Sequence, residues 1–225
     1  MMKKVIKRAF LDTLPVMAGY LVLSIGFGVI MQSKGYGIIV PLCMSVFIYA
    51  GSMQYLAIDL LSGGASLIAT ALTTIAVNAR HLFYGISMVG KYKDTGKEKP
   101  YLIFSLTDET YSLVCEGEEK DKKYYFLVSI FNHSYWVIGT FLGALLGTVA
   151  NFNTNGIDFA LTALFITVFV EQWLNSKNHV YAIIGVVSSL ICLFVFGKDS
   201  FLIPAMILIT VALAVYKKVG SRLLQ

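Results

Sequence analysis

The chain has 225 residues, 57% of them apolar and 14% charged, with a net charge of +5 and a mean hydropathy of +0.73. A water-soluble domain of this size cannot hide that much apolar surface, whereas hydrocarbon solvates it, provided every backbone amide is paired within a helix or a closed barrel. Long charge-free runs, rather than short alternating segments, exclude the barrel and predict an all-α polytopic membrane protein. Residues 1–225 read as a single transmembrane domain of about seven or eight membrane-crossing helices, some short or discontinuous.

The first two runs, 14–31 and 38–58, contain no charged residue, and each approaches the length needed to cross a hydrocarbon core of about 30 Å. The third, 65–89, carries Asn78, Arg80 and His81 in its second half. Residues 91–100 are hydrophilic, 101–115 are apolar but interrupted by Thr107, Asp108, Glu109 and Thr110, and 116–123 are almost wholly charged. The apolar pattern resumes at 124–150, 157–170, 180–196 and 201–216, which makes seven clear segments and one doubtful one at 101–115. Gly19, Gly26, Gly28 and Gly51 permit unwinding or close helix contact. Pro15, Pro41 and Pro204 sit near span starts, where proline is tolerated.

Lys3, Lys4, Lys7 and Arg8 place the N-terminus in the cytoplasm, and Lys217, Lys218 and Arg222 do the same for the C-terminus, so the crossing number is expected to be even. Eight crossings require 101–115 to cross, which puts Lys91, Lys93, Lys97 and Lys99 outside together with Asp94 and Glu98. The two halves then run parallel; without that crossing they are inverted. The first run leads straight into further spans and does not read as a cleavable signal. The same flanking bias accounts for the net charge without a nucleic-acid partner. Cys43, Cys115 and Cys192 lack metal-ligand or redox spacing and read as small core residues.

Gly139, Gly143 and Gly147, four residues apart, lie on one helix face and invite a second helix to approach until backbones touch. A contact within the chain is favoured over a subunit interface. Ala65 and Ala69 form a weaker version.

Ionisable groups at membrane depth cost several kcal/mol unless they are paired or face a wet cavity. Asp158 reads as a first-turn residue at the membrane surface, and Glu171, beside Gln172 and Trp173, as interfacial. Arg80 either snorkels towards the 91–100 loop or serves a site. Asp108 and Glu109 fall near the middle of a helix over 101–115, where they need partners; Arg80 is the nearest cation in sequence, and either acid could instead carry a proton or meet a substrate ammonium. His133, beside Asn132, is either a proton relay or a buried histidine bonded to a neighbour.

YAGSMQY at 49–55, NARHLFYG at 78–85, LTDETYSL at 106–113 and GIDFALTALFI at 156–166 occur in order along nearly the whole chain, which in these motifs resembles the AzlC family, the large subunit of branched-chain amino acid exporters. The resemblance implies export of leucine, isoleucine and valine across the bacterial cytoplasmic membrane, with a small hydrophobic AzlD-type partner. No phosphate-binding loop is present, so transport is expected to be secondary, driven by an ion or solute gradient, that of protons first. Arg80, or the amides of a broken helix near Gly51 and Ser52, would meet the substrate carboxylate. Asp108 or Glu109, with the Gln54 and Asn78 oxygens, would meet its ammonium, and His81 and His133 complete the titratable set. An intramembrane enzyme is the rival reading, but HExxH and GxSxG are missing. A non-transporting scaffold subunit is the other. No cofactor or metal is expected.

Overall fold

The computed structural model describes residues 2–115, 122–149, 178–197 and 201–223, with isolated positions between 166 and 176. Asp158, Glu171 and all but the last residue of GIDFALTALFI lie outside the described residues, as does most of the expected span at 157–170. Every regular element among the described residues is helical. Two compact units are present, within Met1–Thr162 and within Ala163–Gln225.

The first unit is organised by two long helices, α1 (Met2–Ser33) and α8 (Lys122–Val149). Gly139 packs on Leu21 and Ser24, Gly143 on Ile25, and Gly147 on Val29 and Gln32. Gly28 of α1 answers from the other side, where an added Cβ would stand 2.5 Å from the Ala144 nitrogen. Residue numbers rise together along this contact: Tyr124 meets Asp12, Thr13 meets Tyr135, and Val29 meets Gly147. The two helices therefore run parallel. The glycines of α1 leave the helix unbroken, and Gly28 serves the close approach. Pro15 lies well inside α1 rather than near its start, because the helix extends back to Met2 over the basic residues; its missing N–H removes one helical hydrogen bond.

Between α1 and α8 the three expected spans are each divided. Residues 38–58 become α2 (Ile39–Phe47) and α3 (Gly51–Ser62), 65–89 become α4 (Leu67–Asn78) and α5 (Arg80–Met88), and 101–115 become α6 (Lys99–Phe104) and α7 (Asp108–Cys115). Among the described residues only α1 is long and apolar enough to cross a membrane by itself. End to end, α2–α3, α4–α5 and α6–α7 cover about 36, 33 and 25 Å at ~1.5 Å per residue, comparable with a hydrocarbon core.

Ala9, Met88, Tyr92, Leu102, Leu106, Val114, Tyr124, Tyr125 and Val128 form a buried cluster joining α1, α5, α6, α7 and α8. The outer faces of α4 and α5 are apolar and exposed, from Leu67 at 88% through Ile75 to Ile86 at 72%, a surface suited to lipid rather than water. Cys43 is exposed and Cys115 half-buried, so of the three cysteines only Cys192 is a core residue; a position on α2 facing away from α8 has no core to join. Ala65 precedes α4 and Ala69 is exposed, so that small-residue pair packs no helix among the described residues.

In the second unit α9 (Val180–Phe196) ends at Gly197, whose φ of +72° is left-handed, and α10 (Leu202–Leu223) returns alongside it, bringing Tyr181 and Tyr216 edge to face at 5.6 Å.

Candidate functional site

The interruptions of the paired helices supply the site. At the end of α2, Ile48 and Tyr49 both bond back to the Met44 carbonyl; Tyr49 holds a left-handed φ of 48°, and Ala50 is extended before α3 begins. A buried non-glycine residue in that conformation stores about 1–2 kcal/mol of strain. Gly51 is required beside it, since a Cβ there would come within 2.8 Å of the Trp136 ring. In α6, Ser105 ends the helix by bonding through both its amide and its hydroxyl to the Tyr101 carbonyl. Thr107 then starts α7, its hydroxyl accepting the Thr110 amide at 3.3 Å as an N-cap. Asp108 and Glu109 consequently occupy the first turn of a half-helix, not the middle of a continuous one, and the peptide dipoles there favour their negative charge.

Arg80 opens α5. Its Nη2 lies 2.9 Å from Asp108 Oδ2 and donates to Ser52 Oγ at 2.9 Å, so one guanidinium joins the starts of α3, α5 and α7. Both charged side chains are about 30% exposed, which makes the pair accessible as well as buried. The other Asp108 oxygen and the Asn78 Oδ1 are buried acceptors with no hydrogen bond among the described residues.

Glu109 meets a different partner. The Tyr20 hydroxyl of α1 is 2.6 Å from its Oε2 and 2.7 Å from Thr107 Oγ1. Thr107 and Thr110 hydroxyls are 3.1 Å apart, and Asn132 Nδ2 donates to Thr110 Oγ1 at 3.0 Å. Tyr20, Thr107, Thr110 and Asn132 are all buried.

A second polar cluster lies on α8. Gln54, fully buried, donates to Ser45 Oγ at 3.0 Å and accepts Trp136 Nε1–H at 2.9 Å, and Ser45 Oγ also meets Thr140 Oγ1 at 2.8 Å. His133 Nε2 is 3.2 Å from the Ser45 carbonyl and Nδ1 is 3.0 Å from the Tyr101 hydroxyl. A carbonyl only accepts, so Nε2 carries the hydrogen and Nδ1 accepts from Tyr101, which satisfies a neutral imidazole on both sides. The Tyr20–Trp136 and Tyr49–His133 ring contacts, at 5.2 and 4.3 Å, link the two clusters. The His81 Nδ1 faces the Asn78 carbonyl at 3.1 Å, and its ring stands edge-on to Tyr84.

A cavity of about 460 Å³ adjoins the α2–α3 break. Asn78, His81 and Lys99 contribute polar groups to its wall, and Ile48, Leu82, Val89, Ile103, Phe104 and Leu106 much of the apolar remainder. Its size and its few polar groups suit a small ligand with an apolar body.

The structure thus brings Ser52, Arg80 and Asp108 together, sets Glu109 against α1, and puts Gln54 and His133 in a separate hydrogen-bonded cluster. The sequence marks Thr107 and Thr110 only as polar interruptions of 101–115 and gives no site role to them or to Tyr20, Ser45 or Trp136. A threonine directly before two acids at a helix start is a legible capping signal, whereas a tyrosine in a long apolar run carries none.

The family described as AzlC protein matches residues 15–150, a stretch holding every residue of both clusters. The chain belongs to the AzlC family. It is 44% identical over 216 residues to the branched-chain amino acid transport protein AzlC of Bacillus subtilis (strain 168), covering 94% of this chain and 85% of that one. An uncharacterized membrane protein of Helicobacter pylori (strain ATCC 700392 / 26695) is 40% identical over 219 residues, 96% of each chain. The inner membrane protein YgaZ of Escherichia coli (strain K12) is 28% identical over 178 residues, 74% of this chain and 73% of its own. No solved structure matches.

Proposed function

We propose that this AzlC-family chain is the large subunit of a secondary transporter that exports branched-chain amino acids across the bacterial cytoplasmic membrane, exchanging them for protons, together with a small AzlD-type subunit. The observation that carries the reading is the Arg80–Asp108 pair held at the start of three half-helices, with Asn78 and His81, which flank Arg80 in the chain, in the wall of an apolar cavity. A zwitterion presents the same two charges at close spacing. Its carboxylate would take the Arg80 guanidinium, with Ser52 and the first amides of α3 nearby, and its ammonium would take the unbonded Asp108 oxygen and Asn78 Oδ1. The apolar wall of the cavity would hold a branched side chain.

The parallel course of α1 and α8 supports eight crossings. Parallel helices in a membrane are separated by an odd number of crossings, and α2–α3, α4–α5 and α6–α7 supply three. Both termini are then cytoplasmic, and the halves that begin with α1 and α8 run in the same sense.

The test is uptake of radiolabelled leucine by everted membrane vesicles from cells producing the full chain with an AzlD-type subunit. Saturable uptake that valine and isoleucine compete, that needs both subunits and that Arg80→Gln abolishes is the expected result. Uptake indifferent to Arg80→Gln would overturn the site, and none in the intact pair would overturn the substrate.

A further inference from the structure

We propose that Glu109 is the proton-binding carboxyl of this transporter, and that the Tyr20, Thr107 and Thr110 hydroxyls are arranged to hold its proton. This rests on the transport reading above and names the group that couples it. Asp108 and Glu109 are adjacent in sequence but enter opposite surroundings. Asp108 meets a guanidinium at 2.9 Å, while Glu109 meets a phenol at 2.6 Å.

The hydrogen count along the hydroxyl series is the argument. Glu109, Tyr20, Thr107 and Thr110 make three oxygen–oxygen contacts in line, at 2.6, 2.7 and 3.1 Å. Each contact needs one hydrogen, and the three hydroxyls carry three. Thr107 donates to Thr110, which leaves the Thr110 hydrogen outside the series; with Glu109 ionised, Tyr20 gives its single hydrogen to the carboxylate and the 2.7 Å Tyr20–Thr107 contact has none. With Glu109 protonated, its own hydrogen goes to Tyr20, Tyr20 donates to Thr107 and Thr107 to Thr110, and every contact is filled. Loss of the proton turns the Tyr20 hydroxyl from Thr107 to Glu109 and leaves the Tyr20–Thr107 contact without a hydrogen. Asn132 Nδ2 donates to Thr110 in both and anchors the series on α8.

Proton binding therefore forms one O–H bond at Glu109 and breaks one in a hydronium or water on the side of higher proton activity, and it removes one negative charge beside the Arg80–Asp108 pair. Around Glu109 stand Tyr20 from α1, Tyr49 from the α2–α3 break, Tyr84 and Arg80 from α5 and Asp108 on its own helix, with His133 of α8 behind Tyr49. Neutralising Glu109 removes a negative charge next to the Asp108 carboxylate that would take the substrate ammonium, which disfavours substrate while the proton is bound. An antiporter needs that kind of link between its two cargoes.

The experiment uses the same everted vesicles with Glu109→Gln and Tyr20→Phe, read by leucine counterflow without a gradient, by uptake driven by an imposed pH gradient and by the pH profile of the initial rate. Glu109→Gln is expected to keep counterflow while gradient-driven uptake falls on the order of a hundredfold, the scale on which loss of an acid–base group is felt. Its pH profile should flatten. Tyr20→Phe removes the middle hydrogen and should displace the pH midpoint with counterflow retained. Wild-type gradient-driven uptake and an unaltered pH profile in Glu109→Gln would overturn the proposal, as would loss of counterflow and driven uptake together in a variant that melts like wild type. Where Glu109→Gln does not assemble, a wild-type pH profile in Tyr20→Phe overturns it. Absence of leucine counterflow in the unaltered protein is a separate signature, which removes the transport reading itself.

Discussion

Replacing Gly143 by alanine tests the parallel α1–α8 contact directly. The new Cβ would lie 2.7 Å from both the Cα and the carbonyl carbon of Ile25, where carbon atoms in contact prefer about 3.5–4.0 Å. Backbone cannot swing aside as a side-chain tip can, so the helices must separate by roughly 1 Å, which overpacking data put at about 1–3 kcal/mol. The separation is not local, because Gly28, Gly139 and Gly147 tie the same two helices over about three turns of α1. Alanine's better helix propensity returns about 1 kcal/mol, leaving a net loss of up to about 2 kcal/mol. Gly19→Ala, on the same α1 but with nothing within 4 Å of the new methyl, has the gain without the penalty. Melting in detergent should therefore fall by a few degrees for Gly143→Ala and stay level or rise for Gly19→Ala, at ~2–4 °C per kcal/mol for a chain of this size. Equal melting temperatures for the two variants would refute the packing argument.

Arg80→Gln and Asp108→Asn should each lower stability more than the double variant does. The coupling is roughly 1–3 kcal/mol, between the values for exposed and buried pairs, and strictly additive losses would show that the two charges act independently. Leucine flux should be lost in all three. Gln54→Leu strips the Trp136 Nε1–H of its buried acceptor and should cost about 1–3 kcal/mol with a shift in tryptophan emission; an unchanged melting curve would contradict the hydrogen-bond assignment. A C-terminal fluorescent-protein fusion should be bright and an alkaline phosphatase fusion at the same place inactive, whereas the reverse pattern would rule out eight crossings.

The three polar motifs were visible in the sequence because glycine, arginine and acids stand out against apolar neighbours, and each contains or adjoins a helix interruption. What hydropathy could not reveal was the interruptions themselves. Breaking α2 from α3 takes three residues, Ile48, Tyr49 and Ala50, whose composition is as apolar as the helices they separate. Tyr49 in particular adopts a conformation usually signalled by glycine, so its role rests on tertiary support from Tyr20, Phe104 and His133 rather than on local preference. The same limit explains why Asp108 and Glu109 were expected in mid-helix: the apolar run from 101 hides the turn at Ser105, and only the Thr107 cap gives it away. Tyr20 was not legible at all, since its partner Glu109 is 89 residues distant in the chain.

The length of α1 has a consequence for the lipid. Its 32 residues extend about 48 Å at ~1.5 Å per residue, some 18 Å more than a typical hydrocarbon core. The surplus falls at the N-terminal end, where Lys3, Lys4 and Lys7 are exposed and Arg8 rests on the Tyr124 ring, 5.1 Å from its centroid, while reaching Asp12. On the eight-crossing proposal that end would stand among phosphate headgroups, where each exposed cation gains roughly 1 kcal/mol from an anionic leaflet. Because α1 is bound to α8 along its length, the attraction acts on the rigid pair and not on a loose tail. On the eight-crossing proposal, a purely zwitterionic bilayer is expected to leave the frame of the protein less firmly set in depth than an anionic one.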